Sequence, residues 1–189
     1  MMGKIRIGFG MTGSFCTWEQ VISVLKQLTD NYDVTPILSQ ISCVSENRFG
    51  KASDWIRQIE EICGKKIWST IEEVEPIGPK NLLDAMVVMP CTGNTLGKLA
   101  NGINDSAVTM AAKSTLRNGN PLILAVSTND ALGASARNIG TLMNAKNVYF
   151  VPMHQDDPMK KPTSMVARFD QLEPTLKAAL QHRQIQPMF

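Results

Sequence analysis

Apolar residues alternate over residues 4–9, with Ile5, Ile7 and Phe9 on one face, and that period of two predicts a strand. After a loop over 10–17, Trp18, Val21, Ile22, Leu25 and Leu28 recur at helical spacing and predict an amphipathic helix over 18–30. Residues 34–38 read as a second strand, although Pro36 weakens the pattern. Ser53 is placed to cap a helix whose stripe is Trp55, Ile56, Ile59 and Ile62 and which Gly64 ends. A short strand over 66–68 and a helical turn plus loop over 72–80 follow. Residues 85–89 are continuously apolar up to Pro90, as in a strand buried on both faces. Helices over 95–101 and 107–117, the second stopped by Asn118-Gly119, precede another buried strand over 121–126. Leu132, Ile139, Leu142 and Met143 predict a helix over 131–144, and a last strand covers 147–151. Val166, Phe169, Leu172, Leu176 and Leu180 mark a C-terminal helix. Strand and helix patterns alternate throughout, which predicts right-handed βαβ units: a three-layer α/β fold, its parallel sheet covered by helices on both faces. The 189 residues suit a single domain.

Composition narrows the function classes. A net charge of +2 leaves no electrostatic footprint for nucleic acid. The N-terminus lacks the long apolar region of a signal peptide, and no window approaches the roughly 18 apolar residues that span a bilayer. A cytoplasmic chain with no membrane contact is therefore expected. Cys16, Cys43, Cys63 and Cys91 are widely spaced, form no C-x-x-C pair and have no neighbouring histidine. They read as reduced thiols, and no metal site is expected. The two histidines, His154 and His182, leave little room for histidine catalysis. Trp18, Trp55 and Met143 look exposed on helices and point to a homo-oligomer.

In open parallel sheets, ligands bind beyond the carboxyl ends of the strands. Three of the predicted strand ends are rich in small polar residues: Gly10-Met11-Thr12-Gly13-Ser14, Cys91-Thr92-Gly93-Asn94-Thr95 after Pro90, and Ser127-Thr128-Asn129-Asp130. Free N–H groups and hydroxyls beside helix N-termini suit a phosphate. Gly8, Gly10 and Gly13 also satisfy G-x-G-x-x-G, but the second strand ends Leu38-Ser39-Gln40 without the acid that would hold a dinucleotide ribose. A mononucleotide phosphate cradle fits better, beside the alternative of a turn that needs glycine only for its backbone. The second loop equally reads as a capped helix start. Its Cys91 reads as a pocket-lining residue or as a thiol activated by a helix N-terminus. Lys98 reads as an anion ligand or a solvated lysine. Lys113 and Arg117 share a helix face and read first as surface ion pairs. The Pro-rich segment 154–164 reads as a flap or a plain surface loop.

The stretch Gly10-Met11-Thr12-Gly13-Ser14 and the run from Pro90 to Asp105 resemble, in order and spacing, the two motifs of the homo-oligomeric flavin-containing cysteine decarboxylase superfamily. In the second, Pro90, Asn94, Thr95, Lys98, Ala100, Gly102 and Asp105 match. The resemblance implies a Rossmann-like, flavodoxin-like fold, trimers or multiples of trimers, and flavin mononucleotide (FMN) held where protomers meet. It implies that Gly10, Thr12, Gly13 and Ser14 hold phosphate or ribitol, and that Ser39 and Ser42 contact the ring or ribityl chain. Cys91, Thr92, Gly93, Asn94 and Thr95 would line the ring, with Ser127, Thr128 and Asn129 completing the wall. One branch, similar over nearly the whole chain, implies a substrate with two carboxylates and a separate NAD(P)-binding partner protein. Lys98 and Arg137 are then the candidate substrate contacts. Two departures weigh against peptidyl-cysteine decarboxylation. No histidine precedes His154, and of the family's P-x-M-N-x-x-M-W only Asn129 survives. The catalytic residue stays unassigned, and a non-catalytic assembly role or a decarboxylase are the alternatives.

Overall fold

The computed structural model describes residues 3–189, so Met1 and Met2, at the start of the segment read above for a signal peptide, lie outside the described residues. In chain order the elements begin with β1 (Arg6–Met11), a 3-10 turn (Phe15–Thr17), α1 (Trp18–Asn31), β2 (Asp33–Leu38) and α2 (Gln40–Val44). A small hairpin, β3 (Glu46–Asn47) and β4 (Gly50–Lys51), leads to α3 (Ala52–Cys63), α4 (Ile71–Val74) and α5 (Ile77–Lys80). Then come β5 (Ala85–Cys91), α6 (Gly93–Ala100), α7 (Ala107–Arg117), β6 (Leu122–Thr128) and α8 (Ala136–Met143). The chain closes with β7 (Val148–Phe150), β8 (Met153–His154), β9 (Met165–Ala167), a 3-10 turn (Phe169–Gln171) and α9 (Leu172–Ala179).

The body of the sheet is parallel, in the order β2-β1-β5-β6. The outer edge of β6 is divided. Its first half pairs with β7 in parallel, and Ser127 and Thr128 pair with β9 antiparallel, with β8 outside it. The seven-stranded sheet is thus mixed but mostly parallel, an α/β fold of the expected three layers. Strands of two or three residues carry no readable period, so β8 and β9 escape the sequence reading and Val166 belongs to β9 rather than to the last helix. The helix expected from residue 131 starts at Ala136, because residues 130–135 form turns. Ser53 does not cap α3; Lys51 holds that position, with no side-chain cap. Gly64 ends α3 at φ 63°, where a Cβ would be strained. Residues 66–68 form only one bridge, Trp68 to Ile37.

Strand alternation separates two cores. Ile7, Phe9 and Met11, with Val87, Met89, Ile123 and Ala125, face α1, α3 and α9. Met86, Val88, Leu122, Leu124 and Val126 face α6, α7 and α8. On that second face β1 offers, after Arg6 at its start, only glycine. A Cβ on Gly8 would lie 2.5 Å from Leu83 Cδ1, and one on Gly10 would lie 2.8 Å from Met86 Cε and 3.0 Å from Val108 Cγ1. These glycines let neighbouring side chains and α7 close onto the strand. Gly10 is therefore a buried strand residue, not a loop residue, because β1 runs on to Met11.

Trp18 is fully buried, and Trp55 packs edge-on to it at 5.6 Å between ring centroids. Neither is the exposed surface expected of them; Met143 is 36% exposed. At the amino end of β1, Arg6 Nη2 lies 2.6 Å from Asp84 Oδ1, and the Arg6 backbone N–H donates to Asp84 Oδ2. The hydrogen bond from the Arg6 side chain holds the Asp84 carboxyl below its ordinary value of 3.8, against an opposing effect of burial. A depressed carboxylate stabilises the fold above its unfolded pKa, and that stabilisation is lost as pH falls through the folded value. Asp84→Asn is expected to lower stability at pH 7 and to flatten the stability profile below about pH 4, measured by urea unfolding across pH. Parallel profiles for the two proteins would contradict this.

Candidate functional site

The three polar loops meet at the carboxyl ends of β1, β5 and β6, and side chains tie them together. Thr12, itself buried, donates to Pro90 O at 2.7 Å and accepts from the Thr92 N–H at 3.3 Å, joining the first loop to the second. Ser14 Oγ donates to Ser127 O at 2.8 Å, joining the first to the third. The loop is braced from below by Trp18, whose Nε1 donates to Thr12 O at 3.1 Å. Ser14 itself sits at φ 63°, ψ 45°, the left-handed region that costs a non-glycine residue about 1–2 kcal/mol.

The second loop becomes a helix start because Thr92 is extended and its hydroxyl accepts from the Thr95 N–H. Gly93 and Asn94 follow as the first residues of α6, so their N–H groups have no intrahelical partner. In the third loop Thr128 and Ser135 both donate to Asp130 Oδ1. This cluster lies against Gly93, where a Cβ would come within 2.8 Å of all three oxygens. The loops enclose a cavity of about 350 Å³ lined by Ser14, Thr92, Ser127, Thr128 and Asn129, with Cys16, Thr17 and Asp130. A hollow of about 650 Å³ by Lys4, Arg6 and Asp33 lies at the opposite, amino end of the strands. There Arg6 is bound to Asp84 and Asp33 to Lys65, so charges satisfy each other rather than face a ligand.

The segment between β8 and β9 closes one side of the cavity with Asp156, Lys161 and Ser164. It is docked rather than loose. Thr163 Oγ1 donates to Asn129 O at 2.6 Å, Leu132 N–H donates to Thr163 O, and Lys161 pairs with Asp156 at 3.0 Å. Burial works against the Asp156 charge, but hydrogen bonds from Ser164 and Lys161 outweigh it and hold the carboxyl low.

Residues 1–174 match the family model described as Flavoprotein. The chain belongs to the flavoprotein family. It is 47% identical to the B-type subunit of dipicolinate synthase from Bacillus subtilis (strain 168), over 100% of this chain and 94% of that protein. The solved structure of the corresponding dipicolinate synthase subunit from Bacillus halodurans superposes with a TM-score of 0.90 at 44% identity, covering 99% of this chain and 97% of that one. A dodecameric FMN-dependent decarboxylase of Escherichia coli O157:H7 shares the fold, with a TM-score of 0.63 at 20% identity over 78% of this chain and 80% of that one.

Within this flavoprotein the expected site residues fall into groups. Ser14, Thr92, Ser127, Thr128 and Asn129 line the cavity. Thr12 and Thr95 are buried and serve the loop framework. Gly13 has open space, its nearest neighbour to a Cβ being Thr92 Cγ2 at 3.4 Å, and Asn94 is exposed. Ser39 and Ser42 bond each other at 2.8 Å beside the end of β1, outside the cavity lining. Cys91 is enclosed in the second core, and burial pushes its thiol up, so it is not an activated nucleophile. Lys98 is committed to Asp105 at 2.8 Å, so two of the matched motif residues form an ion pair that ties α6 to the turn before α7. Arg137 is exposed on α8, apart from the cavity. Neither Lys113 nor Arg117 forms an ion pair among the described residues, and the Arg117 guanidinium lies over Gly78. The sequence reading missed Cys16, Asp156 and Lys161 as lining residues; the opposite charges at 156 and 161, five apart in a Pro-rich segment, were the available signal.

Proposed function

We propose that this chain acts as the B-type subunit of a dipicolinate synthase, working with an NAD(P)-dependent A-type partner to form pyridine-2,6-dicarboxylate during sporulation. The observation that carries the reading is the joined crest of three loops around one polar cavity in a chain 47% identical to a protein of that kind.

The crest fits FMN. The Ser127 hydroxyl and the N–H groups of Gly93 and Asn94, which have no partner among the described residues, are donors for a phosphate, while Ser14, Thr92 and Thr128, whose hydroxyls are bonded to Ser127 O, Thr95 and Asp130, offer acceptor oxygens to a ribityl chain. Gly13 leaves the approach open. Strain at Ser14, held by its bond to Ser127, supports a preset binding geometry. Bound here, a flavin supplies the ring that accepts or donates hydride, and the reaction is of the oxidoreductase class. The chain would orient that ring, with the docked 155–164 segment walling one side of the cavity that would receive it. The chain assembles on this reading as a homo-oligomer, a trimer or a multiple of trimers as the family resemblance implies, and Ile41 and Val44, 57% and 68% exposed on α2, offer apolar surface for a contact between copies.

Titration of the purified chain with FMN tests the reading. At a hundred times its dissociation constant FMN should stabilise the fold by about 2.7 kcal/mol, several degrees in Tm. About one FMN per chain should survive gel filtration. A colourless protein whose Tm ignores FMN transfers the assignment to a non-catalytic assembly role.

A further inference from the structure

Of the four cysteines only Cys16 is exposed. Cys91 is enclosed, and burial pushes the half-buried Cys43 thiol up and the half-buried Cys63 thiol to about 12. Cys16 stands in the 3-10 turn between the first loop and α1. The Thr17 N–H and the Thr17 hydroxyl both donate to Ser14 O at 2.9 Å, so the turn is fixed. From it Cys16 lines the polar cavity and also a hollow of about 770 Å³ along α1, which carries both signs of charge in Arg168 and Asp170 and in the Asp156–Lys161 pair. The polar cavity holds a second unused group. Ser127 is 4% exposed and lines the cavity; its backbone oxygen accepts from Ser14, but its hydroxyl has no partner among the described residues. A buried hydroxyl left unpaired is costly, so the site is complete only when a ligand brings an acceptor. The Gly93 and Asn94 N–H groups, at the start of the eight-residue α6, also lack an intrahelical partner.

An accessible thiol that shares a cavity with unused donors suits a ligand joined to sulfur at one end and bearing oxygens at the other. We propose that Cys16 is a thiolation site: it exchanges with a low-molecular-weight disulfide whose halves carry carboxylate or amide oxygens, and the attached half fills the polar cavity and shuts FMN out. In the exchange the Cys16 thiolate, its proton given to solvent, attacks one sulfur of the disulfide. A new S–S bond forms to Cys16 as the original one breaks, and the other half leaves as a thiolate that takes up a proton. Cys16 is oxidised, the departing half is reduced, and a thiol reductant reverses both. The Ser127 hydroxyl and the Gly93 and Asn94 N–H groups donate to the oxygens of the attached half. Attachment and FMN exclude each other, so FMN in turn protects Cys16. The exclusion rests on the proposed function; the attachment does not.

The reduced full chain, incubated with oxidised glutathione and followed by intact mass and peptide mapping, tests the assignment. A single glutathionyl group on Cys16 is expected, formed about tenfold or more faster than at the other cysteines. Cys16→Ser should stay unmodified. Ser127→Ala should lower the equilibrium yield of the adduct at a fixed ratio of reduced to oxidised glutathione, by about fivefold in the exchange constant, the loss of one hydrogen bond. The glutathionylated chain should bind FMN about tenfold or more weakly than the reduced chain, dithiothreitol should restore binding, and saturating FMN should slow the attachment by a similar factor. Modification spread over several cysteines, or undiminished in Cys16→Ser, overturns the site. An exchange constant unchanged in Ser127→Ala overturns the seat of the attached half in the cavity. Equal FMN affinity with and without the adduct overturns the exclusion. A reduced chain that takes the adduct at Cys16 and never binds FMN overturns the flavin reading instead.

Discussion

Trp18→Ala is expected to lower the unfolding free energy by about 3–5 kcal/mol, the range for large aromatic truncations in a core. Trp18 has no exposed surface, meets the tilted Phe15 ring at 5.1 Å and the edge-on Trp55 ring at 5.6 Å, and opens α1 directly under the first loop. The truncation leaves a cavity between α1, α3 and the sheet, and removes the Nε1 donor to Thr12 O. A domain whose whole stability is about 5–15 kcal/mol loses a large fraction of it. Equilibrium urea unfolding followed by circular dichroism measures the change. Trp18→Phe should retain most of the packing while losing the hydrogen bond, a cost of about 1 kcal/mol beyond the lost volume. A drop of less than about 1 kcal/mol for the alanine variant would mean that the loop is supported from elsewhere.

Gly93→Ala carries the second large effect. Its Cβ would stand 2.8 Å from Asp130 Oδ1, Ser135 Oγ and Thr128 Oγ1, oxygens already held by bonds to one another. None is the far end of a long flexible chain, so relief requires the third loop to retreat from the second. The expected cost is about 1–3 kcal/mol of stability, typical of overpacking, together with loss of FMN retention. Gly13→Ala is the partner experiment. Its Cβ meets only Thr92 Cγ2 at 3.4 Å, so the fold should stay near wild-type stability. A fall in FMN affinity there then reports crowding of the ligand alone. If Gly93→Ala melts and binds like wild type, the cluster around Asp130 does not set the shape of the cavity.

The regular elements were legible where period and length coincided. Trp18, Val21, Ile22, Leu25 and Leu28 announced α1 and are all buried, and the apolar run of β5 is buried throughout. The polar strand ends were equally legible as loops that meet at one end of the sheet, because a parallel sheet brings the carboxyl ends of β1, β5 and β6 side by side. Individual roles were not. Gly8 and Gly10 look like the start of a nucleotide fingerprint, yet they face Met86, Leu83 and Val108. The resemblance placed Lys98 near a ligand, but whether a lysine is free depends on what stands opposite it, and Asp105 stands there. The two tryptophans are not the exposed surface expected because α1 and α3 pack them edge-on against each other, a contact that neither helix's own period records.

By itself the chain determined an alternating α/β order, two faces of apolar side chains for helices to cover, and three hydroxyl-rich strand ends. These follow from local periodicity and from chemistry that neighbours in sequence share. Only the tertiary structure decided which loops touch, through Thr12 to Pro90 and Ser14 to Ser127, contacts that span 78 and 113 residues. It also decided that β6 gives up the last two residues of its edge to β9 and so brings Asp156, Lys161 and Arg168 to the cavities. Pairing between strands of two and three residues depends on the sheet edge that awaits them, and no local pattern in the sequence records that edge.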